Sequence, residues 1–468
     1  MSKAAPTNMQ HTSRLGAVSV LAAFGCVLVA GQADASGFST ARFGGEHGHP
    51  TTTNPTAVYY NPAGIAKSEG IHLFLDGSLA IRRASYKHTP ADTDMAEPAD
   101  AQGANTDEAK LFNVLAVPMV GASAKFGDFA IGAGFYVPFG GTSIWDKNER
   151  FEDDPQYPGP YDGANRWYSL NGTIMSTYYT LAAAYEIPNT GLSVGLSGNL
   201  VKSVVDTLRA RNADGSNDVA LEGRSYVDAS GWQVGFGAGL MYDAIPDQLT
   251  LGLSYQSRPN VAGGMALQGT LQTKLGPTPP TTQDIDLHQD LPDIVRLGVR
   301  YRPQHEWEFR VYMDWSRWSA FEQQCLGEQG KACELNDDGS PAPDSGVRQN
   351  LPRHWKDAWG AKASGSYFIG EPLELMLGVG YDGNAIPDEA LDPALMDFDD
   401  ISVSLGGRYH VIEPLFVALN VTQIFYFSRD TGGKSGNAAW QVPSRSPDSG
   451  GKYEQSITVV NANLEMVF

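Results

Sequence analysis

The sequence predicts an all-β chain, a transmembrane antiparallel β-barrel of about 14 strands with an N-terminal hatch plugging its lumen. Three observations predict it: strand-length ladders in which apolar residues alternate with Gly, Ser, Asn or charged residues, connections that alternate between tight and long, and a last ladder that ends on Phe468. Period-two alternation marks a strand with two different faces, and lengths of about 10 to 16 residues exceed those of ordinary globular strands.

The ladders come first. Leu373, Leu375, Leu377, Val379 and Tyr381 alternate with Glu374, Gly378, Gly380 and Asp382. Trp307, Phe309, Val311, Met313 and Trp315 alternate with Glu308, Arg310, Asp314 and Ser316, and this ladder carries tryptophan at both ends, as an interfacial girdle requires. Ile401, Val403, Leu405 and Tyr409, and Leu192, Val194, Leu196 and Leu200, repeat the pattern. Segments of this kind begin near Ile71, Leu111, Asp128, Ile174, Gly191, Ser225, Gln248, Leu291, Glu306, Lys356, Pro372, Asp399, Pro414 and Tyr453, which makes 14, an even number as antiparallel closure demands.

The connections agree in phase. Short turns at Lys125 to Asp128, Ile187 to Thr190, Asp243 to Asp247, Pro303 to His305, Gly370-Glu371 and Ile412-Glu413 are assigned to one side of the membrane, with long polar excursions on the other. In the last ladder Val460, Ala462, Leu464, Met466 and Phe468 oppose Asn461, Asn463 and Glu465. A terminal Phe with apolar residues at every second position is the signal that barrel-assembly machinery reads, so Phe468 is the expected membrane-insertion signal.

Composition fits the same class. The 468 residues include 52 Gly, 20 Tyr, 19 Phe and 9 Trp with 18% charged residues, a mixture that suits aromatic girdles and excludes a disordered chain. Mean hydropathy is −0.27, and after Ala35 no run approaches the roughly 20 apolar residues of a membrane helix. The formal charge of −20 makes nucleic acid a poor partner. Acidic residues gather in expected loops, among them Asp92, Asp94, Glu97, Glu152, Asp153, Asp388, Asp397 and Asp399; they read as solvated loop residues, with divalent-cation bridging to lipopolysaccharide as the sharper alternative.

Residues 1–35 read as an export signal: Lys3 and Arg14, an apolar run from Leu15 to Ala30, and a small-x-small cleavage site at Ala33-Asp34-Ala35. Cys26 lies within it, and Phe24 argues against lipidation there. Cys325 and Cys333 form a close pair in a polar stretch, expected as a disulfide formed on an oxidising export route. Residues 36–69 do not alternate and are too short for a domain; they are expected inside the barrel, and 70–468 form its wall.

On these residues the chain resembles the FadL/TodX family of outer-membrane transporters of hydrophobic compounds. Gly37 to Arg42, followed by Ala57-Val58-Tyr59-Tyr60-Asn61-Pro62-Ala63-Gly64, looks like that family's hatch with its Asn-Pro-Ala motif. In physical terms Pro62 fixes φ, Asn61 caps the backbone, and Gly64 is expected to allow a left-handed exit. Tyr136 to Gly141 with Trp145 resembles the family's third strand, Leu291-Pro292 with Leu297 to Tyr301 its eighth, Trp315 to Phe321 the end of its ninth, and Trp355 to Trp359 the opening of its tenth. Gly45-Glu46-His47-Gly48-His49-Pro50 and three Thr replace the acidic tract common before the motif in relatives.

The resemblance implies a Gram-negative outer-membrane location, passive uptake of long-chain fatty acids or similar hydrophobic molecules, and lateral exit through a kink in the third strand. Aromatic or alkane hydrocarbons are the alternative cargo, and a general porin a weaker one. Pro138, Phe139, Gly140 and Gly141 are expected to frame the lateral opening, because Pro cannot donate to a ladder and Gly weakens it. A carboxylate cargo needs a lumen cation. Alternation places Arg296, Arg300, Arg310 and Arg408 inward, most of them expected to pair with Glu308, Asp314, Glu374 and Asp382. The nine His lack the company of a catalytic or metal site, His47-x-His49 included, so no catalytic residue, metal or cofactor is assigned. Expected partners are hydrophobic small molecules, outer-membrane lipid and lipopolysaccharide, and the assembly machinery, for a monomeric barrel.

Overall fold

The structure is a computed structural model that describes residues 39–468 apart from 262, 264 and 277; the expected export signal lies outside the described residues, as do Gly37 and Phe38. Nineteen strands follow in chain order: β1 Ile71–His88, β2 Ala109–Phe126, β3 Phe129–Thr142, β4 Asn171–Glu186, β5 Leu192–Arg211, β6 Gly223–Ile245, β7 Leu249–Gln256, β8 Met265–Lys274, β9 Thr281–Gln289, β10 Ile294–Gln304, β11 Trp307–Ser316, β12 Gln323–Glu328, β13 Val347–Pro352, β14 Ala358–Ile369, β15 Leu373–Asp382, β16 Asp400–Ile412, β17 Leu415–Tyr426, the two-residue β18 Arg429–Asp430, and β19 Gly451–Val467.

Fourteen of them close a barrel. Each of β1 to β6 pairs antiparallel with the next, then β7 with β10, β10 with β11, β11 with β14, β14 through β17 in turn, and β17 with β19. The ring shuts where β19 meets β1, from His72↔Val467 to His88↔Gly451, and Phe468 and Ile71 exchange backbone hydrogen bonds at 2.9 Å. Closure removes the free edges of an open sheet, as a wall in hydrocarbon requires because an unmet backbone group there costs several kcal/mol; a local break lies between β2 and β3.

Side-chain parity sets the two surfaces. Leu73, Leu79, Leu196, Leu377 and Leu405 are exposed on the outside, Leu196 and Leu405 each at 66%. Asp76, Ser78, Asn461, Asn463 and Glu465, one position away in register, are buried on the inside. Apolar residues outward and polar residues inward invert the soluble pattern and match a wall solvated by lipid.

The long connections at the other end are not plain loops. β6 spans 23 residues, and while its later half pairs with β7, its earlier half, Arg224 to Ser230, pairs with β8. β8 pairs with β9, β9 with β12 and β12 with β13, so four strands that the sequence reading left as excursions extend the wall into a loop-built sheet. Cys325 in β12 and Cys333 just beyond it form a disulfide, with Cα atoms 6.3 Å apart.

Candidate functional site

Residues 39–68 lie among the inward-facing side chains of the wall. A single helical turn, α1 Ala57–Tyr60, runs into a 3₁₀ turn over Pro62–Lys67. Asn61 joins the two: its Oδ1 accepts from the Ala63 N–H at 3.1 Å, with Pro62 at the first helical position where no N–H is needed. Its Nδ2 donates to the carbonyls of Pro50 (2.8 Å) and of Leu240 in β6 (2.9 Å). Two wall glycines make this approach feasible. A Cβ on Gly195 would stand 2.3 Å from the Ala63 nitrogen, and one on Gly239 would stand 1.9 Å from Asn61 Oδ1. Gly64 departs from expectation: it is absent from the positive-φ residues, and its missing side chain matters because a Cβ would lie 2.1 Å from the Thr52 carbonyl.

Charge fixes the rest of the segment. The Gly44 N–H donates to Asp76 at 2.8 Å, His47 Nε2 meets Glu374 at 3.0 Å, Ser404 donates to Glu46, and Lys67 bridges Glu186 and Asp243, each at 2.9 Å. The Arg296 guanidinium lies 4.4 Å from the Tyr59 ring centroid. His49 is buried and its Nδ1 accepts from the Thr51 N–H at 3.2 Å. Burial, then Arg310, His47 and Arg300, holds its pKa well below the usual histidine value.

The wall has one break in pairing beside this segment. The β2–β3 register runs from Phe126↔Phe129 to Met119↔Tyr136 and stops. Beyond it Val114 to Pro118 of β2 pair with β1 alone. In β3 the cause is local: a bulge between Tyr136 and Phe139 shifts its register against β4, and Pro138 offers no N–H. Alternation fails there, with Tyr136 to Gly140 all buried. The chain rejoins β2 farther on, where Asn113 exchanges side-chain bonds with the Ile144 backbone and the Asp146 N–H reaches the Lys110 carbonyl at 2.9 Å. Ser39 bridges to Phe139, and Thr40 donates its N–H to the Pro138 carbonyl (2.9 Å) and its hydroxyl to that of Val137 (2.5 Å). The N-terminal segment therefore lies along the very stretch of β3 that β2 leaves.

A narrow cavity of about 70 Å³ adjoins the bulge at Gly141, Thr142 and Ile174. Val205, Val227, Leu287, Leu326, Leu351 and Met396 give it apolar walls, and the loop-built sheet supplies part of its lining. Arg82, Arg209 and Arg353 also line it. Sequence reasoning singled out none of the three, although parity could have found two: Arg82 shares a face with Asp76 and Ser78, and Arg209 shares one with Ser197 and Asn199. Arg353 lies outside the strands and has no such signal.

The four arginines proposed from alternation lie elsewhere. Arg310 pairs with Glu308 (2.6 Å) and Glu374 (3.2 Å), and Arg408 with Glu465 (2.8 Å). Arg296 covers Tyr59, and Arg300 donates to Thr250 at 3.2 Å. Asp382 takes Lys362 (3.4 Å) and Arg42 (3.9 Å) instead of a strand arginine. Several acidic loop residues are bound within the protein and not simply solvated. Glu97 accepts from the Gly103 and Asn105 N–H groups, and Asp388, its pKa lowered by Arg429 and Lys434 despite some burial, ties the 383–399 connection to the 427–450 connection.

Comparison with known proteins agrees with this architecture. Residues 17–459 match the family model described as outer membrane protein transport protein (OMPP1/FadL/TodX). An outer-membrane candidate of Neisseria meningitidis serogroup B is 20% identical over 380 residues, 76% of this chain and 77% of the relative. The long-chain fatty acid transport protein of Escherichia coli O6:H1 is 20% identical over 200 residues, 40% of each. Among solved structures, a Pseudomonas aeruginosa FadL homologue superposes with a TM-score of 0.73 at 16% identity, covering 94% of this chain and all of that one. The Ralstonia pickettii toluene transporter TbuX gives 0.62 at 14%, covering 92% and 98%. With a family match over nearly the whole sequence and a closed 14-strand barrel, the chain belongs to the OMPP1/FadL/TodX family of outer-membrane proteins that transport hydrophobic compounds.

Proposed function

We propose that this protein takes up long-chain fatty acids or similar hydrophobic molecules through the lumen and releases them sideways into the membrane. The observation that carries the reading is the unpaired stretch of β2 and β3, which adjoins the apolar cavity at Gly141 and faces the outward apolar surface. An apolar solute gains roughly 0.8 kcal/mol per CH₂ on leaving water and would lose it again in a wet channel to the periplasm. Exit through the wall avoids that loss.

In this reading residues 36–69 are the hatch, with Asn61, Pro62, Ala63 and Gly64 as its fixed turn, and Pro138 to Gly141 frame the opening. Thr40, bonded to Val137 and Pro138, holds the resting state shut. The protein catalyses nothing. Phe468 serves assembly, and the barrel works as a monomer among lipopolysaccharide. Aromatic hydrocarbons stay as the second cargo class, supported by the likeness to proteins named as toluene transporters.

Uptake of labelled oleate and labelled toluene into a deletion strain, with and without this chain, tests the reading. Restored uptake of either, with little steady current in planar bilayers, is the expected outcome. Large steady currents without hydrophobic uptake would mark a porin instead.

A further inference from the structure

A groove of about 670 Å³ runs across the outer face of β4 to β7 and onto β10. The strand registers define it. One row of outward side chains is Tyr185, Val194, Leu240 and Leu253, each paired with the next across neighbouring strands. A second row, two residues away along each strand, is Ala183, Leu196, Ala238 and Tyr255, and it continues to Val295. Between them Ala184, Gly195, Gly239 and Ser254 form a row directed inward, so the floor of the groove is backbone. The flanking rows lie about 7 Å apart, and four strand intervals give the groove a length of about 19 Å. One extended hydrocarbon chain has that shape, whereas the convex wall of a second barrel does not enter it. Its polar groups are already used: the Ser254 hydroxyl donates to the Tyr60 carbonyl at 2.6 Å and the Tyr255 hydroxyl to Asp293 at 2.7 Å. Nothing there receives a polar head, so only a chain fits.

The same floor seats the N-terminal segment from the other side. The inner face of Gly195 meets Ala63, that of Gly239 meets Asn61, and Ser254 holds Tyr60. One layer of backbone therefore separates the groove from the turn. The β4 end of the groove, at Tyr185, lies two residues before the tight turn that starts at Ile187, and short turns in such barrels are periplasmic. A chain leaving lipid for protein gains dispersion contact and no hydrophobic free energy, and in a groove it touches protein on three sides instead of one. We propose that one acyl chain of a periplasmic-leaflet phospholipid lies along this groove, and that chain and turn steady the same backbone row from its two faces. Each is then held more firmly when the other is in place, because coupling between two sites is reciprocal. The site stands whether or not cargo leaves through the wall.

Photolabelling of the full chain in palmitoyl-oleoyl-phosphatidylcholine bilayers, with a trace of the same lipid carrying a diazirine in one chain, tests this. Peptides holding Ala183 and Ala238 should take at least about fivefold more label than those holding Leu377 and Leu405 on the outer face of β15 and β16, a ratio equivalent to about 1 kcal/mol. Ala183→Phe with Ala238→Phe fills the groove and should erase the excess. Even labelling of the unmodified protein, a comparison that needs no variant to fold, would overturn the chain site. Loss of the excess on adding oleate would assign the groove to cargo, and disulfide cross-linking of an Ala183→Cys protein into a dimer would assign it to a second copy; either result overturns the phospholipid. Asn61→Ala, which frees the turn, should reduce the excess. An unchanged excess in that protein, with release of the turn verified by proteolysis, would overturn the coupling and leave the chain site standing.

Discussion

Asn61 has no exposed surface, and each half of its amide is used: two donors to carbonyls 11 and 179 residues away and one acceptor at the start of the next turn. Replacing it with Ala removes the cap and strands two buried carbonyls, a loss of roughly 2–4 kcal/mol from the seating of the segment. Asn61→Ala is expected to make residues 39–68 protease-sensitive while the barrel keeps its heat-modifiable migration in gels; unchanged protection would contradict this role. Gly195→Leu drives a side chain into the Ala63 backbone and should raise bilayer conductance by displacing the same turn. His49 adds a pH dependence whose sign follows from its depressed pKa. The unfolded segment takes a proton near pH 6.5 that the seated one refuses, so seating is firmest above that pH and weakens as pH falls below it. Arg310, Arg300 and His47 oppose the proton and Glu374 favours it. Hydrogen-exchange protection over residues 44–68, taken relative to the intrinsic rate at each pH, should fall between pH 7.5 and pH 5, and His49→Gln should flatten that response.

Among the elements, β8, β9, β12 and β13 stand apart because they lie outside the closed ring of 14 strands. Removal of the bridge, as Cys325→Ser with Cys333→Ser, releases a loop closed over a sequence separation of 8 and should cost about 2–3 kcal/mol locally. Faster exchange confined to residues 323–352, with barrel assembly unaltered, is the expected result, and failed assembly would show that the loop-built sheet is part of the barrel's own folding. The same distinction explains what the sequence made legible. All 14 wall strands begin within three residues of their expected starts, because hydrocarbon demands an apolar residue at every second position over a long span. In β8 only Met265, Leu267 and Leu271 are buried, and their outward neighbours Gln268 and Gln272 are as polar as any loop, so nothing marked the segment as strand. The bulge was readable from Pro138, Gly140 and Gly141. Its consequence was not, since the length of β2 left unpaired depends on a register between strands that no local pattern encodes.

At the scale of the whole molecule, a chain of formal charge −20 keeps an arginine-lined cavity in the lumen and ion pairs among the wall strands and the N-terminal segment. Ion pairs from His47 to Glu374 and from Lys67 to Glu186 and Asp243 hold the N-terminal segment against the wall, and in the proposed reading cargo leaves the cavity sideways, past the bulge. Parity identified the inward arginines among the wall pairs, and carried along β1 and β5 it would have found Arg82 and Arg209 as well. The central claim is that cargo passes through the wall between β2 and β3. Gly140 admits a Cβ without a clash, its nearest neighbour then lying at 3.5 Å. The most direct test is oleate uptake by a Gly140→Phe, Gly141→Phe protein whose folding and oleate affinity are verified first: lateral exit predicts that binding persists while uptake falls to the level of the deletion strain, and uptake at the unmodified rate would contradict it.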